Sequence, residues 1–259
     1  TGKTDGDSFS LTEVWEDSAG VGSAYGDGID QDVALYVGGP TYQTNEVNGL
    51  PIIRAGAGAG FRGLTPLGIS GAADFTVVVV AKSDITANQR IAQIGDITAV
   101  GGSNIGETAA IEIGTAAVRY NNGNEEFAND GFGTADYHIG AFRMSSPNQY
   151  NSIDYWLDGT LATATAAASG GNTINLDDIG VNLLQGTSGT GADNEGFDGD
   201  AAEILIFSKA LSEYELNIVG GYLEAKYGLD TAFVSPVPEP STALLLVFGL
   251  IGLVMRRRR

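Results

Sequence analysis

Asp193, Asn194, Glu195, Asp198 and Asp200 fall within eight consecutive positions of a Gly-rich stretch. Closely spaced hard oxygen donors on such a loop are what Ca²⁺ requires. Asp193, Glu195, Asp198 and Asp200 are therefore candidate calcium ligands, although the spacing is not that of an EF-hand loop. A solvated acidic loop is the competing reading. Trp15, Tyr25, Tyr155 and Trp156 are large aromatic rings that could stack on sugars, or equally serve a core. The single histidine, His138, sits in an alternating strand pattern. No Ser-His-Asp set assembles around it, so it reads as structural. Without any cysteine, disulfides, thiol nucleophiles and Cys-based zinc sites are excluded. The glycines of Ala55–Gly60 lack the following lysine and the strand-to-helix setting of a phosphate loop.

The elements that must carry these residues are mostly strands. Phe75–Ala81 is a continuous β-branched run, as expected of a strand buried on both faces. Ala116–Tyr120 leads into Asn122-Gly123, and Tyr137–Met144 alternates like a half-buried strand. Ser152–Leu157 and Thr160–Thr165 flank Asp158-Gly159, whose residues suit the positive φ angles of a two-residue hairpin turn. Ile174–Val181 and Ala201–Phe207 predict two further strands, with a loop over Leu184–Gly199. One helix is expected after Ser212. Ser212 and Glu215 form a capping box, Leu216, Val219 and Leu223 an apolar stripe, and Gly228 a C-cap. Many strands, Gly-rich turns and one late helix predict an all-β sandwich.

Glycine is 38 of 259 residues, about twice its ordinary share of roughly 7%, and it shows no period. The whole chain carries a net charge of -19. Without the four terminal arginines and Glu239, 9 basic residues face 31 acidic ones, or -22. Such a field repels nucleic acid, anionic lipid and acidic polysaccharide, so a partner is neutral, cationic or bridged by a divalent metal. The same acidity would also serve solubility or salt tolerance.

The C-terminus has three parts: Pro238, Glu239 and Pro240; an apolar run from Ala243 to Met255; and Arg256, Arg257, Arg258 and Arg259. Thirteen helical residues rise about 20 Å, short of a hydrocarbon core of roughly 30 Å. Snorkelling arginines extend that reach, and the positive-inside rule keeps them cytoplasmic. This tail resembles the PEP-CTERM sorting signal. The resemblance implies recognition and cleavage by an exosortase in a Gram-negative bacterium that also makes exopolysaccharide. It also implies tethering to the inner membrane before processing, then release to the cell surface or extracellular matrix. An ordinary C-terminal anchor helix is the alternative. An exported chain needs a signal segment, and none is visible at Thr1, so the front of the precursor is expected to be missing.

A second resemblance rests on Phe197–Ser212 with the helix to Leu229, Asn48–Arg54, Asp74–Lys82, the Tyr155–Gly159 hairpin and Val14–Gly20. These segments are similar to LamG-like jelly-roll domains of the concanavalin A-like lectin/glucanase group. The implied organisation is a jelly-roll β-sandwich over 1–229 with one short C-terminal helix, a linker over 230–236, and the sorting signal over 237–259, with its separate hydrophobic helix over 243–255 and basic tail over 256–259. Relatives often carry calcium, and they usually open with a strand before the Trp15–Gly20 segment, so the first strand is expected to be incomplete. The glucanase branch uses a Glu-x-Asp-x-x-Glu strand, with carboxylates near enough to act as acid and nucleophile. That spacing is absent here; Glu112 and Glu203 are isolated acids. The expected function is non-enzymatic binding of exopolysaccharide or another glycan, or of a matrix component, with calcium as a candidate cofactor. The alternatives are a purely structural surface protein and a glycoside hydrolase with atypical acids.

Overall fold

The computed structural model describes residues 3–9, 14–15, 33–56, 58–86, 89–97, 108–113, 117–120, 123–127, 132–149, 152–162, 164–167, 173–185, 187–188, 191–192 and 196–234. Of these, 14–15, 117–120, 123–127, 164–167, 187–188 and 191–192 are described by their backbone alone. The first strands are β1 (Val14–Trp15), β2 (Val33–Val37), β3 (Thr41–Val47), β4 (Leu50–Ala55), β5 (Gly60–Gly63) and β6 (Phe75–Ser83). There follow β7 (Arg90–Gly95), β8 (Thr108–Glu112), β9 (Ala117–Tyr120), β10 (Gly123–Phe127), β11 (His138–Met144) and β12 (Ile153–Leu157). The last are β13 (Thr160–Leu161), β14 (Ala164–Ala167), β15 (Gly180–Leu183), β16 (Thr187–Ser188), β17 (Gly191–Ala192) and β18 (Gly199–Phe207), before helix α1 (Glu213–Tyr227).

Two antiparallel sheets form the sandwich. A nine-stranded sheet runs β1-β2-β5-β15-β7-β8-β9-β10-β14, and a seven-stranded sheet runs β13-β12-β11-β6-β18-β4-β3. One apolar core, with Phe61, Val77, Val79, Ile91, Ile111, Phe142 and Tyr155, fills the space between them. A second, with Ile52, Val78, Val80, Ile139, Trp156, Leu216, Leu223 and Tyr227, lies between the seven-stranded sheet and α1. The molecule is therefore layered as nine-stranded sheet, seven-stranded sheet, helix.

That layering explains β6. Its valines are apolar at every position because Val77 and Val79 meet the other sheet while Val78 and Val80 meet the helix. Each valine so buried contributes about 1.5 kcal/mol or more relative to exposure. The same layering corrects the half-buried reading of Tyr137–Met144. In β11, Ile139 and Ala141 are covered by the α1 layer and Phe142 and Met144 by the inter-sheet core.

The Asp158-Gly159 turn forms as expected, with φ of 48° and 81°. Its return strand is shorter than predicted. β13 ends at Leu161, and β14 crosses to the nine-stranded sheet to pair with β10. Ile174–Val181 is not one strand either: Leu176 makes an isolated bridge to Gly71, and regular pairing begins only at Gly180. Within the expected 184–199 loop, β16 and β17 pair as a two-stranded ribbon. Helix α1 matches its reading: Ser212 accepts from the Glu215 amide, Glu215 caps the Ser212 amide in return, and Gly228 closes it in the left-handed region. The segment 3–9 lies along β3, with the Gly6 amide donating to Tyr42 O at 2.8 Å and the Tyr42 amide to Asp7 O at 2.9 Å. It covers what would otherwise be an open sheet edge. Among the described residues no helix is long and apolar enough to cross a membrane; the 243–255 run lies outside them.

Candidate functional site

Residues of the nine-stranded sheet alternate between the core and the far face. Leu35, Phe61, Val181, Ile94 and Ile111 point into the core, so their neighbours Tyr36, Arg62, Asn182, Gln93 and Glu112 stand on the outer face. Register aligns Ala34 with Arg62, Arg62 with Asn182, Asn182 with Gln93, and Gln93 with Ala110 across five strands. The polar members are joined in sequence. Arg62 Nε donates to Asn182 Oδ1 at 2.9 Å, and Asn182 Nδ2 donates to Gln93 Oε1 at 3.0 Å. The Arg62 guanidinium lies 3.5 Å from the centroid of the Tyr36 ring, a cation–π contact. One strand further along this face, Arg90 Nε meets Glu112 Oε1 at 3.2 Å.

Although they face away from the core, Asn182, Gln93, Thr108 and Glu112 are buried. The row is therefore shielded from bulk water. At its open end Tyr36 is 38% exposed. Arg62 Nη2 is buried without a hydrogen-bond partner. A desolvated donor of this kind costs about 1–3 kcal/mol. Every other arginine whose side chain is described holds a carboxylate: Arg54 with Asp200, Arg90 with Glu112, Arg143 with Asp154. The arrangement of an aromatic face, a free guanidinium donor and a rigid pair of amides is suited to hydroxyl-bearing ligands.

The residues picked out from the sequence fall elsewhere. Tyr155 is fully buried and stacks on Phe142 with centroids 4.5 Å apart. Trp156 is 7% exposed, in the core under α1, with the Arg143 guanidinium 4.6 Å from its ring. Neither ring can meet a sugar; both faces of β12 are covered by layers that local sequence does not reveal. The backbone of Trp15 sits at the sheet edge in β1. Tyr25, Asp193, Glu195, Pro238, Glu239, Pro240 and Arg256 to Arg259 lie outside the described residues.

Asp200 is corrected as a calcium ligand. Its side chain is 1% exposed and its oxygens are occupied by Arg54 at 2.6 and 2.9 Å, Lys82 at 3.1 Å and Tyr137 Oη at 3.1 Å. Burial alone would raise its pKa, but the Arg54 and Lys82 hydrogen bonds outweigh that and hold it below the usual carboxylate range. Asp198 behaves oppositely: burial, then the charge of Asp84, raise its pKa. Among the described residues no three His, Asp or Glu side chains are grouped to hold a metal ion.

Glu112 and Glu203 stand on different sheets, each in an ion pair, Glu203 with Lys226 at 2.9 Å. His138 Nδ1 lies 2.7 Å from Asp158 Oδ2. That hydrogen bond, outweighing burial, raises the histidine's pKa. Asp158 also accepts from the Ile139 amide at 2.8 Å, so the His138 contact ties into the hairpin turn.

Tyr36, Arg62, Gln93 and Asn182 were not evident from the sequence. Their signal is a single polar residue inside each short apolar strand, as in Gly60–Gly63 and Gly180–Leu183. It acquires meaning only when register stacks four such strands.

Residues 236–259 match the family model of the PEP-CTERM protein-sorting motif, the motif of exported proteins that exosortase sorts to the cell surface. No curated protein matches the chain in sequence. Among solved structures, a GH54 α-L-arabinofuranosidase with bound arabinofuranosyl-α-1,2-xylobiose aligns at TM-score 0.53 and 16% identity, over 78% of this chain and 49% of that one. The chain thus spans about half of that protein, and the likeness is one of fold. The CBM40 domain of the Ruminococcus gnavus IT-sialidase, bound to α2,3-sialyllactose, aligns at TM-score 0.42 and 17% identity over 68% and 96% of the two chains. Domain 4 of AbnA, a GH43 arabinanase from Geobacillus stearothermophilus, aligns at 0.43 and 13% over 68% and 78%.

Proposed function

We propose that this chain is a non-enzymatic glycan-binding protein, sorted by exosortase through residues 236–259 and displayed on the cell surface or in the extracellular matrix. The glycan meets the outer face of the nine-stranded sheet at its open end, at Tyr36 and Arg62. The observation that carries the reading is Arg62 Nη2, buried without an acceptor beside the Tyr36 ring and at the head of the Asn182–Gln93 relay. A ligand hydroxyl accepting from Nη2 would remove the desolvation cost of that donor. Asn182 and Gln93 hold the guanidinium in one orientation, which lowers the entropy lost on binding. The acidity of the domain favours a neutral polysaccharide over an acidic one.

Affinity electrophoresis of the full chain through neutral polysaccharide gels tests this. Arg62→Ala is expected to lower retention tenfold or more, while Arg62→Lys, which cannot reproduce the fork of donors, recovers little. Both variants should keep the wild-type circular dichroism. Parallel gels with chelator read any calcium contribution by way of Asp193, Glu195 and Asp198. No retention of wild type on any polysaccharide would refute binding and favour a purely structural role; release of reducing sugar would show a hydrolase.

A further inference from the structure

Five of the eight large hydrophobic side chains exposed among the described residues lie on one side of the molecule: Leu161, Tyr214, Ile218, Tyr222 and Val234, between 42% and 71% exposed. Tyr214, Ile218 and Tyr222 are spaced four residues apart and form one stripe along α1. It is turned away from the Leu216, Leu223 and Tyr227 stripe that packs on the sheet. Leu161 opposes Trp156 in register, on the helix side of the seven-stranded sheet.

The chain leaves the domain on this same side. Phe233 fills the notch at Gly220, where an added Cβ would collide with its ring. The Val234 amide donates to Asn217 Oδ1 at 2.9 Å, which places the exit beside the middle of the stripe. From Val234 only residues 235–242 precede the apolar run. Eight residues span at most about 28 Å, while α1, with 15 residues, is about 22 Å long. An insertion of 243–255 into a bilayer therefore holds the whole stripe within reach of the surface.

We infer that, in the unprocessed protein, the Tyr214–Ile218–Tyr222 face of α1 rests on a zwitterionic lipid surface, so that the Tyr36–Arg62–Asn182–Gln93 face is presented away from the membrane. This rests on the sorting reading above. Tyrosine is suited to the interface, its ring in the acyl boundary and its hydroxyl among the headgroups. The charged residues around the stripe decide the lipid. Glu213, Glu215, Glu224 and Asp230 outnumber Lys209 and Lys226, of which Lys209 is tied to Glu215 and Lys226 to Glu203. Anionic headgroups are repelled and zwitterionic ones are not.

The absence of cysteine allows single-site labels. Ile218→Cys and Leu64→Cys are made in the full chain, the latter beside the strand that carries Arg62. Each is nitroxide-labelled and reconstituted in phosphatidylcholine–phosphatidylethanolamine vesicles. Flotation reports anchoring; spin relaxation by oxygen and by a water-soluble nickel complex reports contact. The expected result is co-flotation, with nickel collisions at 218 at least threefold fewer than at 64 and oxygen collisions more frequent. Tyr214→Ser combined with Tyr222→Ser should restore nickel access at 218 without altering flotation. Failure to float refutes anchoring and, with it, this orientation. Flotation with equal nickel access at both sites refutes the orientation alone. Protection of 218 from both relaxers would show a protein cover, such as a second copy, and refute the lipid contact.

Discussion

Replacing Asp200 by asparagine removes one buried negative charge from beneath two cations and leaves the shape of the site intact. Arg54 donates to both Asp200 oxygens, Lys82 joins at 3.1 Å, and the carboxylate is 1% exposed. Breaking a buried pair by removing one partner costs about 3–5 kcal/mol. Here the partners are not equally trapped. The Arg54 side chain is 40% exposed and that of Lys82 24%, so both can turn to water, and the amide still offers Arg54 one acceptor. The expected loss is about 2 kcal/mol near neutral pH, which for a domain of this size lowers Tm by about 4–8 °C. The sign of the pH dependence follows from the lowered pKa of Asp200. A carboxyl more acidic in the folded chain contributes stability that is present above its unfolded pKa of about 3.9 and is lost as pH falls through the folded value. Wild type and Asp200→Asn should therefore differ at pH 7 and converge in strong acid. Thermal unfolding of both, followed by circular dichroism between pH 2 and pH 8, measures this. A Tm within 1 °C of wild type at pH 7, or a gap that does not narrow as pH falls below about 4, would refute the assignment of Asp200 as the charged clamp between β4, β6 and β18.

Gly220→Ala should cost about 1–3 kcal/mol despite the higher helix propensity of alanine, because its methyl displaces the Phe233 ring; faster hydrogen exchange at 231–234 would report the displacement, and unchanged exchange would contradict it. For His138 the pKa is raised by Asp158, so its contribution is complete below the unfolded pKa of about 6.5 and fades as pH rises through the folded value. His138→Gln should flatten that part of the stability curve, and an NMR titration of the single histidine below 6.5 would overturn the sign. Pro238→Ala with Glu239→Ala should leave the C-terminus uncleaved in a host with exosortase, as read by intact mass; normal processing would refute the sorting assignment.

Elements governed by neighbours in sequence were legible. The capping box at Ser212 and Glu215, the Asp158-Gly159 turn and the valine run of β6 each depend on residues within a few positions. What depends on layering was not. Tyr155 and Trp156 looked available because a strand in an open sandwich has one wet face; here the opposite sheet buries Tyr155 and α1 covers the other face and buries Trp156. β18 hid its pattern differently. Register slips between Ala201 and Glu203, so Ala202 and Glu203 both contact the helix side, and simple alternation fails there. The polar row is the extreme case: positions 36, 62, 93 and 182 meet only through pairing of strands distant in sequence.

The segment after α1 bears on how the domain carries a pull. The Leu229 amide donates to Glu224 O, Thr231 Oγ1 to Glu224 Oε2, the Ala232 amide to Asp158 O, and the Val234 amide to Asn217 Oδ1. Tension applied through the C-terminal tail meets these links in series, from Val234 inward, with the Phe233 ring seated between them as a wedge. The Ala232 link passes part of the load into the β12–β13 turn and so into the seven-stranded sheet. Pulled through its tail, the domain would yield first by peeling at its own exit, link by link, before the sandwich is loaded.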